Sequence, residues 1–415
     1  METSIQHWKA AHPNLMISLY LLLGIYFGQS IHLSQFIDQG KYYIVIIILI
    51  LISLLVLAYS KWQLCSIILI IWGYCLQSTS QHQTNLHFDF IDSFIEPIRL
   101  AIAKKIDLCI KESSSNAYSK ALLMGSKAEM SPTLKEAYTS LGIIHIIAIS
   151  GMHLEIIYQH LLRISYVLPF PKQDSKMKLL LLLFCIWVYT FVAQAGPSVV
   201  RASLFFSSYL IGRHYYLHKY TLNIIASGML IIIIWQTKTI YHIGWQLSYA
   251  AVLGIHLLSP LFKKMIQIDN LILKLIWNNC VMSCAVQFTT LPLLLFYFHQ
   301  ASAWIILSNL IIVPLSNLLL HGLVLLICTP NYFSLAFYMG RLIEKYIIII
   351  NSIVLKLHIH SPRTFQFPKI QFNHIALYYV ILLLLYLWLY QKQAKWLFIA
   401  ILLTTSYILA KLFSI

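Results

Sequence analysis

MKLLLLLFCIWVYTFVA, residues 177–193, is the stretch that decides the fold. Seventeen residues with one charge near the start are long enough, as a helix, to approach the thickness of a bilayer's hydrocarbon. In lipid no water satisfies the backbone, so a spanning segment of this kind folds as a helix, with its hydrogen bonds made internally. YYIVIIILILISLLVLAY (42–59) and HIALYYVILLLLYLWLY (374–390) repeat the pattern. The chain of 415 residues is 60% hydrophobic and only 10% charged, more apolar surface than one water-soluble core hides. The expected fold class is all-α: a polytopic transmembrane bundle of about eleven crossings, with broken or short helices. The first apolar run has no small-residue cleavage site after it and is expected to be a retained helix.

Working outward, three helices are expected within 1–80 (about 14–36, 42–60 and 62–78). The next segment, 81–118, turns polar. Ile91, Phe94, Ile95, Ile98, Ile102 and Ile106 recur at helical spacing, with Asp92, Arg99, Lys104 and Lys105 largely off that stripe. This predicts one external amphipathic helix on the outer membrane face or packed on its own protein. Residues 119–325 and 326–415 are expected to be transmembrane almost throughout.

The 29 Lys and Arg against 13 Asp and Glu give a formal charge of +16. Lys61, Arg163 to Lys178, Arg213 to Lys219, Lys263 to Lys274, and Lys392 with Lys395 fall at every second turn of the chain. The positive-inside rule then predicts a cytoplasmic N-terminus and an external C-terminus. That rule accounts for most of the excess, and the remainder is compatible with an anionic passenger. Seven cysteines, most inside apolar runs, imply no disulfide framework. Cys280 and Cys284 share a helix face without a His or carboxylate beside them, so they are read as small packing residues, and no cofactor or metal is expected.

Four stretches interrupt the apolar pattern. HIIAISGMH (145–153) places Ser150 and Gly151 between His145 and His153. Gly weakens a helix by about 1 kcal/mol relative to Ala, and Ser competes for backbone partners, which predicts a kink or unwound turn. Such backbone at membrane depth is tolerated beside protein or a watered cavity. The two histidines would lie within about 80° of each other on an unbroken helix. GPSVVRASLFFSSYLIGR (196–213) breaks at Gly196–Pro197. Ser198 is expected to cap a new short helix, with Arg201 one turn into it, where the helix start and the guanidinium together offer donors to a phosphate. GWQLSYAAVLGIHLLSP (244–260) carries Gln246 and Ser248, and SNLIIVPLSNLLLHG (308–322) carries Asn309, Pro314 and Asn317. Amides in a membrane also join helices, so each is open to a structural role.

Taken in order, ALLMGSKAEMSPTLKEAYTSLGIIHIIAISGMHLEII, AGPSVVRASLFF, GWQLSYAAVLGI and SNLIIVPL resemble the competence domain of the ComEC family, inner-membrane channels that admit one strand of transforming DNA. The resemblance covers 119–325. It implies a channel rather than an enzyme, importing single-stranded DNA across the cytoplasmic (inner) membrane, with His145, Ser150, Gly151, His153, Arg201, Gln246 and Asn309 along the DNA pathway. Many members also carry an external oligonucleotide-binding domain and a C-terminal hydrolase domain resembling a metallo-β-lactamase. The forty or so residues after the third expected helix are too few for that small barrel, and no zinc-binding His/Asp cluster follows the last helices. Separate capture, nuclease and cytoplasmic motor proteins are therefore the implied partners, beside single-stranded DNA and membrane lipids. Ser126 stands where an acidic residue is usual, and Glu155 where a small one is. Two other classes fit broken membrane helices. A small-solute or lipid transporter predicts paired inverted segments, and an intramembrane hydrolase needs a partner for Ser150 or a metal on the histidines.

Overall fold

The computed structural model describes residues 17–18, 21–22, 89–126, 128–167, 176–215, 221–235, 237–330, 334–361, 365–367 and 371–413. The three helices expected within 14–78 lie outside the described residues, apart from helical turns at 17–18 and 21–22. The described chain is all-α. Its helices are α1 (Asp89–Cys109), α2 (Ser113–Met124), α3 (Pro132–Ser140), α4 (Ile144–Ile147), α5 (Gly151–Val167), α6 (Lys176–Val192), α7 (Pro197–His214) and α8 (Thr221–Trp235). After a 3-10 turn at Thr237–Tyr241 follow α9 (Ile243–Leu257), α10 (Ser259–Lys263), α11 (Leu271–Phe298), α12 (Ile305–Cys328), α13 (Ser334–His360), α14 (Phe372–Gln391) and α15 (Ala394–Phe413). A two-residue antiparallel pairing, Gln300↔Gln366 and Ala301↔Phe365, is the strand structure among the described residues.

Four helical stretches among the described residues are long and apolar enough to cross a membrane: Ile243–Lys263, Leu271–Phe298, Ile305–Cys328 and Asn373–Gln391. This is fewer than the composition predicts for the whole chain, because much of the N-terminal third lies outside the described residues and several other helices fall short. At about 1.5 Å per residue, the 17 residues of α6 reach only about 26 Å.

The chain divides into two compact units, Met1–Ala101 with Ser150–His242, and Ile102–Ile149 with Ile243–Ile415. The division falls inside α1 and between Ile149 and Ser150. In the first unit α5 packs on α6 and α7, and α7 on α8. Leu154, Tyr158, Leu182, Ile186 and Leu210 form its core. Polar side chains stitch α6 to α7: Trp187 Nε1 donates to Ser207 Oγ at 3.2 Å, and the Thr190 and Ser203 hydroxyls bond each other. Hydroxyls join membrane helices because lipid offers them no other partner.

The end of α6 is a Schellman motif. Ala195 N donates to Thr190 O and Gln194 N to Phe191 O, while Gln194 (φ 63°) and Ala195 (φ 46°) occupy the left-handed region usually left to glycine. Arg99 from α1 reinforces this end, its Nη2 donating to Phe191 O at 2.5 Å and its Nε to Val192 O at 3.3 Å. A cation is favoured at the carbonyl end of a helix.

In the second unit Lys105 Nζ donates to Thr329 O at the end of α12, at 2.6 Å. Arg99 and Lys105 thus both turn inward, and Lys105 is buried although the stripe put it outside; Phe94, assigned to the stripe, is 63% exposed. The reason is that the carbonyl end of a helix draws a cation, and the Thr329 carbonyl gives Lys105 a partner that the weakly apolar stripe does not outweigh. The second unit closes around α2, α3, α12 and α13. Glu344 Oε2 accepts from the amides of Lys111 (2.6 Å) and Glu112 (3.0 Å), and the Tyr138 hydroxyl donates to that of Tyr118 at 2.9 Å in full burial. Glu112 caps α2 by accepting from Ser114 N and Ser115 N. Partial burial raises its carboxyl, yet the hydrogen bonds from Ser115 and Ser114 outweigh it and hold the group below its ordinary range. On α11, Pro292 has no N–H for the Phe288 carbonyl; Tyr378 Oη of α14 supplies the missing donor at 3.0 Å.

Candidate functional site

The signature segment begins where α3 ends. Gly142 (φ 74°) closes α3 in a second Schellman motif, with Gly142 N on Thr139 O and Ile143 N on Tyr138 O. A Cβ there would meet Ile305 Cδ1 at 2.8 Å, so the turn seats against the first residue of α12, one turn before Asn309. α4 then makes a single turn and stops at Ala148, which is extended (φ −77°, ψ 126°). The chain resumes as a helix only at Gly151. The backbone is therefore unwound over 148–150, and the helical phase that would have set His145 near His153 does not exist.

Ser150 starts α5. Its carbonyl accepts from His153 N at 3.1 Å and Leu154 N at 3.2 Å. Its own N–H donates back to His153 Nδ1 at 3.3 Å, and its Oγ lies 3.1 Å from the same nitrogen. This is the backward half of a capping box, with an imidazole in place of the usual Glu or Gln, while the Ser150 hydroxyl meets the ring instead of the His153 amide. Accepting at Nδ1 from a backbone N–H puts the neutral ring's proton on Nε2. His153 is fully buried and fixed by its own helix start, whereas His145, bonded to the Gly142 backbone, is exposed.

α7 brings Arg201 to the same unit. The helix begins at Pro197, with extended Gly196 (ψ 149°) as the N-cap and no side-chain cap bond, and it runs for 18 residues. Ser198 is thus the second helical residue, not the cap, and the helix is not short. Proline at the first helical position has φ already set and no N–H to satisfy, so the helix starts there. Arg201 still falls one turn in, half-buried. Ala202, next to it, faces Gly151: a Cβ on Gly151 would lie 3.8 Å from Ala202 Cβ. Farther along, Tyr158 of α5 packs on Phe206 of α7 at 5.4 Å, so the two helices run parallel and their starts lie toward the same end.

Ser150, Gly151, His153 and Arg201 all belong to the first unit; Ser150 and His153 bond each other, and Gly151 lies against Ala202, the neighbour of Arg201 in α7. The helices α5 and α7 run parallel, so the positive ends of their dipoles point to the same side, a polarity that favours an anion there. The other three candidates belong to the second unit. Gln246 Oε1 accepts from Tyr297 Oη at 3.0 Å, a link between α9 and α11. Asn309 is 8% exposed, and its Oδ1 has no hydrogen-bond partner among the described residues. Among the described residues no three His, Cys, Asp or Glu side chains gather to hold a metal ion. Sequence reasoning missed the Thr190–Ser203 and Trp187–Ser207 pairs. Their signal was the spacing of Ser203 and Ser207 by one helical turn, which marks one face of α7 as polar.

The four long apolar helices mark a helical membrane protein. The chain belongs to the competence protein family, whose model matches residues 122–392 and so extends well past the motifs that first suggested it. It is 30% identical over 194 residues to ComE operon protein 3 of Bacillus subtilis (strain 168); the alignment spans 47% of this chain and 24% of that relative. No solved structure matches.

Proposed function

We propose that this member of a family with a role in competence DNA uptake is itself the conduit, carrying single-stranded DNA inward through the cytoplasmic membrane. The observation that supports this most is the close approach of Gly151 and Ala202, which sets the start of α5, with Ser150 and His153, against the second turn of α7, next to Arg201. A passing phosphate finds donors and a guanidinium there, while the unwound backbone at 148–150 lies at the entrance to α5. Contacts of this kind have to be weak and repeated for a polymer to move on. In this scheme the chain crosses the membrane about eleven times from a cytoplasmic N-terminus. It acts as a channel rather than an enzyme, and other proteins supply DNA capture, strand degradation and motive force. His145, Gln246 and Asn309, which belong to the second unit, are assigned to DNA contacts by the family resemblance.

Deleting the gene is expected to abolish transformation by external DNA while leaving electroporated DNA as effective as in the parent strain. Equal loss by both routes would assign the defect to a step after entry, and unchanged transformation would contradict the proposal.

A further inference from the structure

The opposite ends of the same first-unit helices hold a second concentration of chemistry. Lys178, at the start of α6, is folded back with its Nζ 3.7 Å over the ring of Tyr166 near the end of α5, and it is only 6% exposed. Arg213, exposed in the last turn of α7, lies beside the Tyr158 hydroxyl of α5. His214 and Tyr215 meet edge to face at 5.0 Å. Tyr166 and Tyr215 keep 49% and 59% of their surface exposed; Lys178 covers one face of the Tyr166 ring and leaves the other side to a ligand. Arg163 and Lys176, both exposed, project from the same ends of α5 and α6. No ion pair neutralises Arg163, Lys176 or Arg213 among the described residues. On α5 the acidic residue, Glu155, sits at the far end and accepts from Gln159 Nε2 at 3.3 Å. Asp174 lies in the connecting segment outside the described residues.

Cations interleaved with open tyrosine faces suit one ligand class better than others. The cations match phosphodiesters, and a base of any sequence has a face to stack on an aromatic ring. A lipid anchor would be built differently: its lysine would snorkel outward along the helix to reach a headgroup. Lys178 does the reverse, lying inward over Tyr166. We propose that the exposed Arg213, Arg163 and Lys176, with Tyr215 and with the Tyr166 ring backed by the buried Lys178, form a binding site for the backbone and bases of single-stranded nucleic acid. The site lies at the end of the first unit remote from Ser150 and Arg201, about 20 Å away along α5. It rests on the proposed conduit and gives that conduit a second station, so that a strand leaving the first is held by the next.

The full chain, in nanodiscs of neutral phosphatidylcholine, is titrated with fluorescein-labelled dT20 at several salt concentrations. Arg213→Ala is expected to weaken binding about tenfold and to lower the slope of log affinity against log salt by about 1. Tyr166→Ala is expected to weaken it about fivefold or more, and Tyr166→Phe, which keeps the ring, to bind as the parent does. Arg213 is exposed, so its variant tests the site even where Tyr166→Ala does not purify as a monodisperse protein. Parent affinity in Arg213→Ala would overturn the proposal while leaving the conduit reading standing. An effect of Arg213→Ala confined to thermal stability in phosphatidylglycerol nanodiscs would assign the cluster to lipid headgroups and overturn it as well. A parent chain that does not bind dT20 at all would contradict the conduit itself.

Discussion

Arg201→Ala is expected to lower transformation by roughly ten- to a hundredfold with the protein still present in the membrane at its normal level. The half-buried guanidinium sits one turn into α7, beside the residue that meets Gly151. Hydrogen bonds from a charged donor contribute about 1.5–3 kcal/mol, and each 1.4 kcal/mol is about tenfold in an equilibrium. Arg201→Lys keeps the charge but not the two-pronged geometry, so it is expected to fall between parent and alanine. Transformation frequency, read beside an immunoblot of the membrane fraction, decides the matter. Parent-level transformation in Arg201→Ala would remove this residue from the pathway.

The second large effect concerns the scaffold. Gly254 of α9 faces α11 so closely that a Cβ would run into Thr289 Oγ1 and lie 2.6 Å from Ala285 O. Ala285 O is backbone and cannot move aside unless the two helices part. Overpacking a close contact costs about 1–3 kcal/mol, and valine adds two methyl groups to the clash. Gly254→Val is therefore expected to leave little monodisperse protein after detergent extraction. Gly151→Ala is the informative contrast, because its Cβ meets Ala202 at 3.8 Å, an ordinary van der Waals distance. It is expected to extract like the parent. If Gly254→Val extracts like the parent, the close approach of α9 and α11 is wrong.

Which features the sequence revealed follows from the range of the forces involved. HIALYYVILLLLYLWLY lies within α14, because apolar length alone dictates a helix in lipid. The break at Ser150–Gly151 was readable too, since glycine and serine act on their own backbone. What needed a partner was not readable. Gly254 looked like any glycine in an apolar helix until Ala285 and Thr289 were placed against it. Ser198 was assigned the cap because its side chain suits one; the proline before it had already set the start of the helix. Lys105 was placed on the outer face of α1 because the carbonyl end that draws it inward lies 224 positions away in the chain. Spacing set His145 and His153 as a pair, but the unwound turn between them gives each to a different unit.

The claim on which the account stands is that the turn before α5 borders water and is used by DNA. It is tested most directly by Ser150→Cys in a chain whose seven native cysteines have been replaced. The account predicts that a membrane-impermeant thiol reagent labels this position in competent cells, and that single-stranded DNA stalled during uptake protects it. Position 150 inert to the reagent with and without DNA would contradict it.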